Sequence, residues 1–91
     1  MGRSSLVSVR QRCLERAEDG ENLLFADGYD EAILGIGIRN GEEIVVYDAA
    51  KIARILRRRD GMSTDEAEEF MEYNLIGAWM GDRTPLILIR P

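Results

Sequence analysis

Apolar residues recur at three- and four-residue intervals over residues 5–18, which predicts an amphipathic helix. Ser4 or Ser5 is a suitable N-cap for it. Because a helix this short depends on packing, it is expected to dock on the domain, to lie against a partner, or to fray. We therefore divide the chain into an N-terminal amphipathic helix or arm, residues 1–20, and a single α+β domain, residues 21–91.

A change to β-type runs over residues 32–39 and 43–47 predicts two strands. Between them, Asn40-Gly41 is the typical sequence of a type I′ turn, so the two strands form a hairpin. A two-residue turn fixes the register, and it places Leu34 opposite Tyr47.

Two helices are predicted after the hairpin. The first begins after Asp48, a good N-cap, and ends at Gly61. The second begins with a capping box formed by Ser63 and Glu66. Its apolar side carries Ala67, Phe70, Met71, Leu75, Ala78 and Trp79. The short link Gly61-Met62 predicts that the two helices form a helical hairpin. The first helix is basic and the second is acidic on its outer side, so the hairpin would make them neighbours of complementary charge.

The uninterrupted apolar run Leu86 to Ile89, directly after Pro85, predicts a last strand that is buried on both faces. The element order is then α-β-β-α-α-β. This order predicts an α+β fold, in which helices cover a small three-stranded sheet made of the β-hairpin and the C-terminal strand.

Composition limits the chemistry that the chain can perform. It has no histidine and one cysteine, Cys13, so histidine-based triads, thiolate zinc sites and an intramolecular disulfide are excluded. No phosphate-binding glycine motif of the expected spacing is present. We therefore predict no catalytic residue and no cofactor, and a protein that is not an enzyme.

Charge and hydropathy limit the partners. The formal net charge is −5, from 12 basic and 17 acidic residues, and an acidic surface repels phosphate backbones. Nucleic acid is therefore an unfavourable partner. No apolar run is long enough to span a membrane, and a single cysteine fits a reducing compartment. These features predict a cytoplasmic location and no membrane contact.

The candidate binding residues are polar and aromatic side chains that the predicted elements leave near loops: Asp27, Tyr29, Asp30, Asp48 and Asn74. The loop Asp27–Glu31 with Asp48 offers oxygen ligands to a small molecule or a divalent metal. The spacing does not match a known calcium loop, so a turn and a helix cap remain the alternative interpretation, and no metal site is assigned. Tyr29 is expected to be exposed as a contact residue, and Asn74 to lie on or near the apolar side of its helix.

Several short motifs carry a resemblance to a known group of proteins. They are Asp27-Gly28-Tyr29-Asp30-Glu31-Ala32-Ile33, Val45-Val46-Tyr47-Asp48, Gly61-Met62, Glu66-Ala67, Asn74, Gly77-Ala78, Gly81 and Thr84-Pro85. Over residues 27–85 the chain resembles a family of short uncharacterised proteins encoded by bacteriophages, prophages and mobile elements. The resemblance implies a small accessory protein in a bacterial cytoplasm, and it brings no known activity whose catalytic residues could be assigned to this chain.

Two functional hypotheses follow. The first is a small acidic protein that acts by protein–protein interaction and modulates a host protein. A variant of this hypothesis adds self-association into a homo-oligomer. The second is a domain that binds a small ligand or a divalent metal through the Asp27–Glu31 loop. Divalent ions should raise the melting temperature under the second hypothesis but not under the first.

Overall fold

A computed structural model describes residues 8–76 and 81–91 of the chain. The helices are α1 (Val9–Arg16), α2 (Ala49–Asp60) and α3 (Thr64–Met71), and the strands are β1 (Ile33–Arg39), β2 (Glu42–Asp48) and β3 (Leu86–Leu88). Short 3₁₀ turns cover Gly20–Asn22 and Asp30–Ala32, and a π-helical turn, Glu72–Ile76, continues α3. The α+β fold and the element order that the sequence predicts are confirmed.

Local capping chemistry sets the ends of the helices. The Asp48 side chain accepts a hydrogen bond from the backbone N–H of Ala50, and Gly61 ends α2 with a φ of 71°, in the left-handed region. Ser63 and Glu66 form the predicted capping box of α3. The N-cap of α1 is Ser8, three residues later than the latest predicted cap, and Ser4 and Ser5 lie outside the described residues.

The β1–β2 hairpin has the predicted turn but a different register at its far end. Asn40 and Gly41 both have positive φ, as a type I′ turn requires. Tyr47 pairs with Ile33 rather than with Leu34, because the register shifts by one residue between Ile33 and Gly35. This β-bulge places Ile33 on the same face as Tyr47, and both side chains are buried.

Strand β3 is at one edge of the sheet, in the order β1-β2-β3, and it runs parallel to β2. Only Ile87, which pairs with Tyr47, packs against the core. Leu86 and Leu88 point to the other face and remain 36% and 39% exposed. The prediction of burial on both faces was therefore wrong, because an apolar run reports a strand but not how many faces of the sheet are covered.

A buried cluster joins the helices to one face of the sheet. Its fully buried large side chains include Tyr47, Ile52 and Leu56. Helix α1 contributes Cys13, which is 5% exposed, so this helix packs on the same core as the rest of the described chain. The Tyr47 hydroxyl accepts a hydrogen bond of 2.7 Å from the backbone N–H of Ala26, which fixes the loop ahead of β1 against the core.

Helices α2 and α3 bury their apolar sides in this core and expose their charged sides. The predicted ion pairs between them are not found in the described part of the chain, where the cations of α2 pair instead with Glu31 and Asp60. The two helices contact each other through their apolar faces, and their charged faces therefore point to solvent. Over residues 8–76 and 81–91, no helix combines the length and the hydropathy needed to cross a membrane.

Candidate functional site

The loop Asp27–Glu31 lies beside a cleft of about 600 Å³ between α1 and α2. Its lining is Arg10, Asp27, Gly28, Asp30, Glu31, Ile55, Arg58 and Arg59. Two predicted residues, Asp27 and Asp30, thus share one surface. The same surface also contains three arginines, which the sequence-based hypothesis did not place there.

Two of these arginines, Arg10 and Arg58, form ion pairs with the three carboxylates of the loop. The Arg10 Nη2 atom lies 3.3 Å from Asp27 Oδ1 and 3.2 Å from Asp30 Oδ1, and Arg58 lies 3.3 Å from Glu31. The contact of Arg10 with Asp30 is an ion pair and not a hydrogen bond, because Asp30 Oδ1 has no hydrogen-bond partner. The same oxygen atom is shielded from solvent. Arg10 also stacks on the Phe25 ring, 4.5 Å from its centroid. The loop therefore holds α1 in place by ionic contacts.

Tyr29 is buried, with 7% of its surface exposed, so the expectation of an exposed contact residue was wrong. The acidic neighbours suggested exposure, but the Tyr29 ring packs in the core cluster. Arg59 covers it, 5.1 Å from the ring centroid, and donates a hydrogen bond of 2.9 Å to the Gly28 carbonyl. Hydrogen bonds, first to Asp60 and then to Tyr29, raise the pKa of the Arg59 guanidinium above its ordinary value.

The two remaining predicted residues, Asp48 and Asn74, do not line this cleft. Asp48 is 5% exposed; its side chain caps α2 and lies 3.6 Å from Arg90. Asn74 is exposed and donates a hydrogen bond of 3.1 Å to the Phe70 carbonyl, so its expected position on the apolar side was wrong. The π-helical turn at Glu72–Ile76 changes the rotation of the chain after Met71, which turns Asn74 away from the core.

No three metal-ligating side chains come together in residues 8–76 and 81–91. The carboxylates of the Asp27–Glu31 loop also have arginine partners, which a metal ion would have to displace. We therefore expect millimolar Mg²⁺, Ca²⁺ or Mn²⁺ to leave the melting temperature unchanged. A metal-dependent increase that disappears in Asp27→Asn or Asp30→Asn would contradict this expectation and would support the metal-binding hypothesis.

The cysteine lies in a different environment from that of a reactive thiol. Burial raises the pKa of the Cys13 thiol above its ordinary value of 9.0, so the neutral form is favoured. The thiol is in the core cluster, and a neutral buried thiol behaves as a small apolar group. Cys13 is therefore part of the packing of α1.

A second groove, of about 400 Å³, runs along α3 and is here called the α3 groove. The apolar residues that line it are Ala49 of α2, Met71 of α3, Ile76 of the π-helical turn and Ile89, which directly follows β3. Its acidic residues all come from α3 and the turn that follows: Asp65, Glu68, Glu69 and Glu72. The spacing of three and four residues places these four carboxylates on one face of the helix.

The α3 groove combines uncompensated charge with exposed apolar surface. All four carboxylates are exposed, and within the described residues none of them has an ion-pair partner. Ile76 is 46% exposed and Ile89 is 69% exposed. A groove of this kind is suited to a ligand that carries positive charges around an apolar group.

Sequence reasoning identified the acidic side of α3 but not the groove. The acidic residues of α3 were expected to pair with the cations of α2, but in the structure those cations pair with Glu31 and Asp60. Ile89 belongs to the groove because the end of β3 lies near the start of α2, where Leu88 pairs with Asp48. Ile89 lies close to α2 because β3 pairs in parallel with β2, and no local sequence pattern specifies that pairing.

Comparisons with known proteins identify no relative of this chain. No protein-family model, no curated protein and no solved structure matches the chain. The resemblance to short proteins of phages and mobile elements therefore stays a prediction, and the function has to be argued from the residues of the chain itself.

Proposed function

We propose that this chain is a small accessory protein, of the kind that phages and mobile elements encode, and that it acts by binding another protein through the α3 groove. The observation that carries this proposal is the set of four exposed carboxylates, without ionic partners among the described residues, around an apolar floor. The proposal places the protein in a bacterial cytoplasm and makes a host protein the target that it modulates.

The chemistry of the groove specifies the kind of segment that fits it. The carboxylates favour lysine and arginine side chains, and Ile76 and Ile89 favour an apolar side chain between them. A basic amphipathic segment, with apolar residues at helical spacing, supplies both. Complementary charge also accelerates the encounter, so binding should weaken as the salt concentration rises.

A direct test uses a fluorescent synthetic peptide in which lysines and leucines alternate at helical spacing. Substitution of Glu68, Glu69 and Glu72 by glutamine keeps the shape of α3 and removes three charges. We expect these substitutions to weaken binding of the peptide by about tenfold or more, measured by fluorescence anisotropy. Neutralising the same number of charges elsewhere, in Glu15→Gln, Glu18→Gln and Glu21→Gln, is the matched control and should change the affinity little.

Equal weakening in both triple variants would mean that the peptide responds only to net charge, and it would contradict a specific groove. The same two variants can be used as baits in a bacterial lysate. A host protein that binds the control variant but not the α3 variant would be the partner that the proposal requires.

A further inference from the structure

A second charged face, on α2, is complementary to the α3 groove. Lys51, Arg54 and Arg57 are exposed, and no ion pair of the described residues involves them. Their spacing places them on one side of the helix, opposite the buried Ile52 and Leu56. Ala50, also exposed, adds a small apolar residue at the start of this side.

The two charged faces match in length as well as in sign. From Lys51 to Arg57 the chain advances six residues, and from Asp65 to Glu72 it advances seven, which is about 9 Å and about 10 Å along the two helix axes. Each helix therefore carries one row of charge over two turns. Within one chain the rows cannot meet, because α2 and α3 bury their opposite sides in the same core.

We infer that the α2 face of one chain docks in the α3 groove of a second copy. Because α2 and α3 are neighbours in one chain, a two-fold arrangement brings α2 of each copy against α3 of the other, and both contacts form at once. Such an interface is closed and isologous, so it produces a dimer and not a filament. The inference deepens the proposed function, since self-association and binding of a partner then compete for the α3 groove.

Charge reversal tests the dimer with little risk to folding. One variant carries Lys51→Glu, Arg54→Glu and Arg57→Glu, and the other carries Glu68→Lys, Glu69→Lys and Glu72→Lys. Lys51→Glu puts an acidic residue near the start of α2 and Glu72→Lys puts a basic residue at the end of α3, as the helix dipoles favour, whereas Arg57→Glu removes a favourable cation from the last turn of α2. Circular dichroism establishes that both variants are folded.

In concentrated solution at low salt, analytical ultracentrifugation should show a dimer for the wild type. Each variant alone should associate at least about tenfold more weakly, because like charges then face each other in both contacts. An equimolar mixture should restore dimers, since the reversed α2 meets the reversed α3 and the two unreversed helices also meet.

The control mixture replaces the α3 variant with Glu15→Lys, Glu18→Lys and Glu21→Lys, which has the same net charge. Because the control variant keeps both wild-type faces, it should form its own dimers but associate weakly with the α2 variant, since one of their two contacts would join two acidic faces. A fluorescent label on the α2 variant distinguishes these species. A labelled α2 variant that dimerises equally in both mixtures, or a wild type that stays monomeric, would overturn the inference. A monomeric wild type that still binds the basic peptide in the α3 groove would leave the proposed function intact, so the two failures are distinguishable.

Discussion

Truncation of Leu56 to alanine should lower the free energy of unfolding by about 2–5 kcal/mol. Leu56 is fully buried, at 0% exposure, in the cluster that joins α2 to the sheet, and its removal leaves a cavity there. A domain of this size has a stability on the order of 5 kcal/mol, so the variant should retain only about 0–3 kcal/mol and up to about half of it should be unfolded at room temperature. Urea denaturation followed by circular dichroism measures the change.

The neighbouring residue Arg57 provides the control. It is exposed and has no ion-pair partner among the described residues, so Arg57→Ala should change the free energy of unfolding by less than about 0.5 kcal/mol. Equal destabilisation by Leu56→Ala and Arg57→Ala would contradict the assignment of the core.

Replacement of Tyr47 by phenylalanine should cost about 1–3 kcal/mol of stability, although it removes a single oxygen atom. Tyr47 is fully buried, and its hydroxyl accepts the 2.7 Å hydrogen bond from the Ala26 N–H. Without the hydroxyl, the Ala26 N–H would still be removed from water by folding but would have no hydrogen-bond acceptor. Urea denaturation at neutral pH measures the cost, and a change close to zero would contradict a structural role for this hydrogen bond.

The same substitution has a pH signature. Burial raises the pKa of Tyr47 above its ordinary value of 10.0; the hydrogen bond from Ala26 opposes this shift and the charge of Asp30 adds to it. The phenol therefore loses its proton more readily in the unfolded chain. Its contribution to stability is complete below pH 10.0 and is lost as the pH rises through the folded-state pKa. The wild type should thus lose more stability above this pH than Tyr47→Phe, and parallel alkaline profiles would contradict the shift.

Where the chemistry is local, the sequence predicted the fold closely. The capping box of Ser63 and Glu66, the cap at Asp48 and the turn at Asn40-Gly41 depend on residues within a few positions of one another. The bulge near Leu34 was missed because either register buries apolar residues, and the choice depends on how the helices pack on the sheet. A glycine in a strand can mark a bulge, but β1 contains both Gly35 and Gly37, and the sequence does not distinguish Gly35 at the bulge from the regularly paired Gly37.

The candidate site was less accessible to sequence reasoning, because long-range contacts decide which charges remain free. Asp27 and Asp30 appeared available as ligands, but Arg10, seventeen residues before Asp27, pairs with both. The carboxylates of α3 appeared to be paired with α2, but within the described chain they have no ionic partner. Composition thus led to the hypothesis of a binding protein, and the fold identifies the acidic surface that has no ionic partner among the described residues.

The most direct test of the α3 groove is a nuclear magnetic resonance titration of the isotopically labelled chain with the lysine–leucine peptide. We expect amide shifts to change in the segment Asp65–Ile76 and at Ile89, and to change far less in the Asp27–Glu31 loop. The α3 variant with three glutamines should show little change at the same peptide concentration. Shifts that move mainly around the Asp27–Glu31 loop, or that survive in the glutamine variant, would contradict binding at the α3 groove.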